Sequence, residues 1–210
     1  GTANSTISAA AQKIADSLLS GTQAAVLIGS AAMAHPQASD LHVLAQFIAQ
    51  HTGATLGFLP EGGNAVGASL VKANGAGVQS VLSGDRRAVI LMNLEPDADL
   101  PNPMDARAAL AKANTVIALS AYQSADLLEV ADVILPIATF TETVSSFVNL
   151  EGRVQTIQPA VKPLGDSRPA WKVLRVLANM LGLPQLAFET SQDVLKQISA
   201  TPVNLSNACS

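Results

Sequence analysis

The sequence predicts an α/β protein whose core is a doubly wound, mostly parallel sheet with helices on both faces. Five short apolar runs lie between residues 24 and 136, and each has the length of a strand buried on both faces. Segments with helical spacing or capping signals separate them, which is the order that a parallel sheet requires. At 210 residues, 49% hydrophobic and only 13% charged, the chain can also bury a sizeable core.

The sequence pattern over residues 1–72 predicts the first half of this alternation of helices and strands. In order, the predicted elements are a helix over residues 5–20, a strand over 24–29, a helix over 40–50, a strand over 54–59 and a helix that ends at 72. Gly21 and Gly53 follow the first two helices, and a glycine just past the last turn is a common stop signal. Ser39 supplies a side-chain oxygen that can cap the second helix.

The second half continues the alternation and ends in a hairpin and two helices. The predicted elements are a strand over 88–92, an acidic, proline-rich loop over 95–103, a helix over 104–113, a strand over 115–119, a helix over 125–130 and a strand over 132–136. A β-hairpin follows over 146–149 and 153–157, with Gly152 at positive φ in its turn. The last predicted elements are a helix over 168–181, capped by Ser167 and stopped by Gly182, a helix over 191–198 and a frayed tail.

These elements divide the chain into three parts. They are an N-terminal helical segment over 1–21, an α/β domain over 22–183 that includes the hairpin 145–157, and a C-terminal helix with its tail over 184–210. Because the chain starts at Gly1 rather than Met, it is either processed or, as we expect, a piece of a longer protein. Residues 1–60 hold few charged side chains, although surface helices normally carry a polar face. We therefore expect this part to expose apolar side chains that the rest of the parent protein covers.

Charge, cysteine and histidine exclude several classes of protein. The net charge of −4 and the scattered positions of the 12 Lys and Arg residues argue against nucleic acid binding. The uncharged stretches 17–39 and 41–60 are interrupted by Gly, Pro and polar residues, so we expect no membrane insertion. The single cysteine, Cys209, excludes an intrachain disulfide and an all-cysteine zinc or iron–sulfur site. The three histidines lack the spacing of metal ligands.

Three groups of polar residues have both a chemical and a structural interpretation. The glycine-rich turn before residue 65 could hold an anion on its amides, or it could be a tight turn in which Asn64 caps the next helix. Glu142 and Glu151 could form a general acid/base pair, or Glu142 could cap or pair locally while Glu151 faces solvent in the hairpin turn. Asp132 starts a buried strand and needs a partner, which is either Arg153 in an ion pair or nearby backbone N–H groups.

A longer block of sequence resembles a known family. Residues 131–136, the pair Thr141-Glu142 and residues 147–155 together resemble the molybdopterin oxidoreductase family. Residues 63–68 and 163–174 extend the resemblance, which covers about residues 22–183. Within that family the chain is most similar to the large iron–sulfur subunits of bacterial NADH–quinone oxidoreductase, the respiratory complex I.

This similarity implies a cofactor-free structural domain in the peripheral arm of such a complex. It implies that iron–sulfur clusters lie in the missing N-terminal region of the parent subunit, and that this chain contains no cofactor, metal site or catalytic residue. Its partners would be the remainder of the same subunit and other peripheral-arm subunits. The complex would place it in the cytoplasm, peripheral to the inner membrane.

The family also offers an alternative, in which the chain is the molybdopterin-guanine-dinucleotide-binding part of a molybdo-enzyme such as a formate dehydrogenase-like subunit. In that case Asn64, Asp132 and Asn149 would contact the pterin dinucleotide. A free-standing nucleotide-binding module is a third possibility, which the lack of a glycine fingerprint disfavours.

One departure from the family pattern favours the cofactor-free interpretation. Where the wider family commonly has Glu-x-x-Gly-Thr, this sequence has Glu142 followed by Ser145. Serine adds a Cβ at a position where a pterin-binding loop benefits from close backbone approach. On this interpretation the residues of the motif survive as structural parts, namely Asp132, Glu142, Asn149, Gly152 and Arg153.

Overall fold

The computed structural model describes residues 6–73, 77–83, 86–100, 102–183 and 186–200. Its helices alternate with parallel strands, and an antiparallel hairpin follows, so the predicted α/β class is confirmed. The chain forms two compact units, Gly1–Ala65 and Val66–Ser210. The predicted frayed tail over 201–210 lies outside the described residues. In the described part of the chain, no helix combines the length and the apolar character needed to cross a membrane.

The first unit contains a two-stranded parallel sheet and its helices. Its elements are α1 (Ala9–Ser20), β1 (Ala25–Ile28), α2 (Ser30–Met33), α3 (Ala38–Thr52) and β2 (Thr55–Phe58). β1 and β2 pair in parallel from Ala25 opposite Thr55 to Ile28 opposite Phe58. α3 connects the two strands and contacts both of them. It ends at Gly53, whose φ of +72° fits glycine better than any residue with a Cβ.

α3 leaves an apolar surface exposed. Its buried side is narrow and consists of the small residues Ala45 and Ala49. The exposed large apolar residues of the same helix are Leu41, Val43, Leu44, Phe47 and Ile48. The expected apolar exposure in the first 60 residues is therefore confirmed for the part that the structure describes.

The second unit contains a three-stranded parallel sheet, a hairpin and the C-terminal helices. Its elements are α4 (Ala65–Leu70), which begins at the unit boundary, α5 (Val78–Ser83), β3 (Ala88–Met92), α6 (Pro96–Asp99), α7 (Pro103–Leu110), β4 (Thr115–Ser120), α8 (Ala125–Val130), β5 (Val133–Pro136), β6 (Ser145–Val148), β7 (Val154–Ile157), α9 (Ala170–Met180) and α10 (Ser191–Ala200). β3, β4 and β5 pair in parallel in chain order, and β6 pairs antiparallel with β7.

One face of the three-stranded sheet forms the core of the second unit. Side chains alternate between the two faces of a strand, and the core face carries Leu91, Val116 and Ala118. Leu110 of α7 and Leu127 of α8 pack against it. The opposite face is only partly covered, because Ile90, Met92 and Val133 are among the exposed apolar residues.

Three details differ from the predicted elements. The five strands form two parallel sheets rather than one, since apolar runs identify strands but not which edges pair. Short helices α2, α5 and α6 were not predicted. α6 forms in the proline-rich loop, where Pro96 occupies the first turn and the side chain of Asp99 accepts from the N–H of Glu95 at 2.8 Å. α9 begins at Ala170 after Pro169, because the Ser167 hydroxyl donates to Leu164 O at 2.7 Å instead of capping it.

Candidate functional site

The carboxyl ends of β3, β4 and β5 form the edge at which open α/β sheets bind ligands. The buried Ser120 ends β4, and its hydroxyl donates to Tyr122 O at 2.7 Å and accepts from Tyr122 N at 3.2 Å. Beside it, the N–H of Asn93 donates to Leu119 O at 2.7 Å, with Asn93 at a φ of +50°. The chain therefore satisfies these polar groups itself and holds both loops close to the strand ends.

Asp126 is the buried carboxylate at this edge, with only 7% of the residue exposed. It accepts hydrogen bonds from the Ser124 hydroxyl and from the N–H of Asp97, the latter at 3.1 Å. Burial acts to raise the pKa of Asp126, but these hydrogen bonds outweigh it and lower the pKa below its ordinary value. Asp126 therefore stays ionised and ties α6 to the start of α8.

Arg107 of α7 forms ion pairs with two further carboxylates near Asp126, and the four side chains make up one charged cluster. Its guanidinium donates to Asp97 through Nε, at 2.8 Å to Oδ1, and through Nη2, and it also pairs with Glu129. The hydrogen bond to Asp97 raises the pKa of Arg107 above its ordinary value. Because the four charged side chains of this cluster engage one another or the backbone, the cluster stabilises the junction of α6, α7 and α8. It was missed from the sequence, although Ser124-x-Asp126 after a strand is a recognisable helix-start signal.

Asp132 lies at the other edge of the sheet, at the amino end of β5. Its Oδ2 accepts from Val116 N at 2.7 Å, and its own N–H donates to Val116 O at 2.9 Å. The alternative ion pair with Arg153 is not formed, because Arg153 instead lies 3.8 Å from Glu151 in an exposed pair. Asp132 thus joins the starts of two neighbouring strands.

Asn149 and Gly152 shape the turn of the hairpin. The side-chain oxygen of Asn149 accepts from Glu151 N at 3.0 Å and from Arg153 N at 2.9 Å. The N–H of Gly152 donates to the carbonyl of Asn149 at 2.9 Å, with Gly152 at a φ of +78°. The predicted positive φ at Gly152 is confirmed, and the Asn149 side-chain oxygen is committed to the turn.

We expect Gly152→Ala to destabilise the hairpin by about 1–2 kcal/mol, because an L-residue in the left-handed region brings its Cβ against the backbone. There is open space around the position, so the cost comes from the backbone alone. Thermal unfolding measures the change. Gly62→Ala is the matched control, since Gly62 has no positive φ and the nearest atoms to an added Cβ lie 4.0 Å away; an equal loss in both variants would contradict this explanation.

Glu142 lines a cleft of about 590 Å³ near the C-terminal helices, and Glu151 is not among its lining residues. The Glu142 carboxylate accepts from Thr139 N at 3.1 Å, so it binds locally. The cleft also contains the cations Lys162, Arg168 and Lys172. The geometry therefore gives no support to a Glu142–Glu151 acid/base pair.

The remaining sequence-predicted position, Asn64, belongs to the first unit, whereas Asp132 and Asn149 belong to the second. Asn64 directly precedes α4, and the N–H of Ala65 donates to Gly62 O at 3.1 Å, as in a tight turn. Within the described ranges, no cluster of three or more His, Cys, Asp or Glu side chains could hold a metal ion.

Comparisons with known proteins give a family match and two kinds of relative. A family model for molybdopterin oxidoreductase matches residues 1–180. An NADH-quinone oxidoreductase subunit of Streptomyces coelicolor is 38% identical over 117 residues, which are 52% of this chain and 14% of that protein. A Staphylococcus aureus protein named "Putative formate dehydrogenase" is 46% identical over 52 residues, 25% of this chain and 5% of that protein. The matched parts are thus small fractions of both relatives.

Proposed function

Because the chain belongs to the molybdopterin oxidoreductase family, we propose that it is a cofactor-free structural domain in the large iron–sulfur subunit of a respiratory NADH–quinone oxidoreductase. The similarity to the Streptomyces coelicolor protein, which covers about half of this chain, supports this choice within the family. In this role the domain carries no redox centre, and electrons pass from NADH to quinone through clusters elsewhere in the subunit and its complex.

The observation that carries the proposal is that side chains of the family's motif accept hydrogen bonds from the protein's own backbone. Asp132 accepts from Val116 N at the amino edge of the sheet, away from the edge where such sheets bind ligands. The side-chain oxygen of Asn149 holds two N–H groups of its own turn. Glu142 accepts from Thr139 N. Each of these three side chains is therefore hydrogen-bonded to at least one backbone N–H group of the same chain.

These positions fit a pterin dinucleotide poorly. A dinucleotide needs donors and acceptors that converge on one cleft, but Asp132 and Asn149 are engaged at separate places in the fold. Ser145, where the family commonly has glycine, begins β6 and is paired with Ile157 across the hairpin. We therefore derive no chemical step through a pterin cofactor in this chain.

A scaffold role also agrees with the apolar exposure of α3. Soluble domains rarely expose several large apolar side chains on one helix unless another surface covers them. The remainder of the same subunit and the other peripheral-arm subunits are the partners we propose. The assembly would keep the domain in the cytoplasm, at the inner membrane surface, without inserting this chain.

Metal analysis of the full-length parent subunit tests the proposal. We expect several iron atoms per subunit, from clusters outside this chain, and no molybdenum or tungsten above trace level. The measurement is elemental analysis of the purified subunit, with a known molybdo-enzyme purified in the same way as the positive control. One molybdenum or tungsten atom per subunit would overturn the cofactor-free role.

The similarity to the Staphylococcus aureus protein supports a second function. The identity to that protein is 46% over 52 residues, which is higher than the 38% identity to the Streptomyces coelicolor protein, although the latter extends over 117 residues. In that function the chain is the dinucleotide-binding part of a formate dehydrogenase-like subunit, and Asn64, Asp132 and Asn149 contact the cofactor. The same elemental analysis separates the two functions, because only the second requires molybdenum or tungsten in the parent subunit.

A further inference from the structure

α9 and the end of β5 form an apolar groove that the described residues of the chain leave uncovered. The groove has a volume of about 460 Å³, and its apolar lining is Leu135, Val173, Val176, Leu177 and Met180. Leu135 points away from the core face of the sheet, because the neighbouring Ile134 packs against the core. We name this feature the α9 groove.

The exposed side chains of α9 follow one line along the helix. Lys172, Val176 and Met180 are spaced four residues apart, so they lie above one another on the same face. Val176 is 48% exposed and Met180 is 81% exposed. The face is therefore polar and cationic in the first turn of α9 and apolar in the last.

Cations without acidic partners border the groove. Arg168, Lys172 and Arg175 are among its lining residues, and residues 167–188 contain no Asp or Glu. Arg168 donates to the carbonyls of Gly165 and Ser167, and Arg175 donates to the carbonyl of Phe188. None of the ion pairs in the described residues involves these three cations.

In the described residues, the nearby carboxylates form no ion pair with these cations. Glu142 and Glu189 line the neighbouring cleft, which shares Arg168 and Lys172 with the groove, but neither carboxylate comes within ion-pair distance of a cation there. Lys172 instead lies over the ring of Trp171, 5.4 Å from its centroid. An anion approaching along α9 would meet positive charge that no ion pair among the described residues neutralises.

We propose that the α9 groove is the docking site of an acidic amphipathic helix from a partner protein. The apolar lining matches the nonpolar face of such a helix, which binds in grooves through side chains at helical spacing. The cations match carboxylates that flank that face. Apart from the three cations, the groove lining has no polar side chain that would orient an uncharged small molecule.

This inference deepens the proposed scaffold role, because it gives the chemistry of one partner surface. The two can fail separately. Molybdenum in the parent subunit would overturn the scaffold role and leave the groove unaffected, whereas the binding experiment below does not depend on any cofactor.

The test uses the full 210-residue chain and two synthetic helical peptides. Both have leucine on one face, and they differ only in carrying glutamate or lysine at the flanking positions. Trp171 is the single tryptophan of the chain and neighbours Lys172, so its fluorescence reports binding, and calorimetry gives an independent dissociation constant. We expect saturable micromolar binding of the glutamate peptide that weakens as salt screens the charges.

Variants at exposed positions separate the electrostatic contribution to peptide binding from the apolar contribution. Lys172→Glu should weaken binding of the glutamate peptide by about tenfold or more, since it replaces attraction by repulsion. Met180→Asp should abolish binding by placing a charge in the apolar end. Lys112→Glu, an exposed lysine on another cavity, is the matched control and should bind like the unchanged chain. Circular dichroism checks that each variant is folded.

Several results would overturn the proposal. They are no saturable binding of the glutamate peptide, equal binding of the lysine peptide, or equal binding by the Lys172→Glu variant. Self-association of the chain that Met180→Asp abolishes would also overturn it, because the occupant would then be a second copy.

Discussion

Leu127→Ala is expected to lower the free energy of unfolding of the second unit by about 3–4 kcal/mol. Leu127 is 0% exposed and packs in the same core cluster as Leu110 and Val116. Truncation to alanine loses the buried methyl groups and leaves a cavity, because the strand side chains opposite are fixed by the sheet. Domains are stable by only about 5–15 kcal/mol in total, so the loss is a large share.

Urea unfolding followed by circular dichroism measures this effect. The next residue supplies the matched control, since Leu128 lies on the same helix and is 57% exposed. Leu128→Ala changes helix propensity and side-chain size in the same way but removes little buried surface, so we expect a change below about 1 kcal/mol. Similar losses for the two variants would contradict the assignment of Leu127 to the core.

Asp126→Ala is expected to cost about 2 kcal/mol of stability at neutral pH. The substitution removes an ionised acceptor and leaves the N–H of Asp97 and the hydroxyl of Ser124 without their partner. Hydrogen bonds to charged groups contribute more than neutral ones, and a partly buried donor left unsatisfied adds to the loss. Asp126→Asn keeps the shape of the side chain and should lose less.

The effect of Asp126 depends on pH in a defined direction. Its pKa in the folded chain is lowered by the hydrogen bonds that outweigh burial. A lowered folded-state pKa adds stability above the ordinary aspartate pKa of about 4, and that stability is lost as the pH falls towards the folded-state value. The difference between the unchanged chain and Asp126→Asn should therefore be full at pH 7 and shrink below pH ~4.

Glu129→Gln is the control for this pH dependence. Glu129 lies on the same helix and pairs with Arg107 at the surface, where an ion pair contributes about 0–1 kcal/mol. We expect a small change with little dependence on pH. If Asp126→Asn behaved in the same way, the buried hydrogen bonds of Asp126 would not stabilise the junction as argued.

Local patterns in the sequence predict the elements of the fold well. β3 over Ala88–Met92 and α8 over Ala125–Val130 have the predicted bounds, because an apolar run and a short helical segment are each recognisable within the segment itself. The hairpin turn follows for the same reason, since the φ of Gly152 and the hydrogen bonds of Asn149 are local properties. Strand pairing is not local, and the separation into two sheets could not be predicted from apolar runs.

The candidate site illustrates the same limit. The sequence indicates that Asp132 is a carboxylate that needs a partner, but it does not choose between Arg153 and a neighbouring backbone N–H. The structure places Val116 N within 2.7 Å of it, 16 residues away along the chain. The cluster of Arg107 with Asp97 and Glu129 joins three helices, and no spacing rule connects residues so far apart.

The narrow buried side of α3 has a thermodynamic consequence. Small side chains such as Ala45 and Ala49 contribute little burial to the first unit, and a two-stranded sheet alone is only marginally stable. The first unit should therefore open locally at a lower free energy than the sheet built around Leu127. A protein that binds over α3 would raise the free energy of opening of the first unit, since binding to the folded state adds stability that grows with the concentration and affinity of the binding protein. Of the two described sheets, the one beside α3 is thus the one whose order a binding partner would control more.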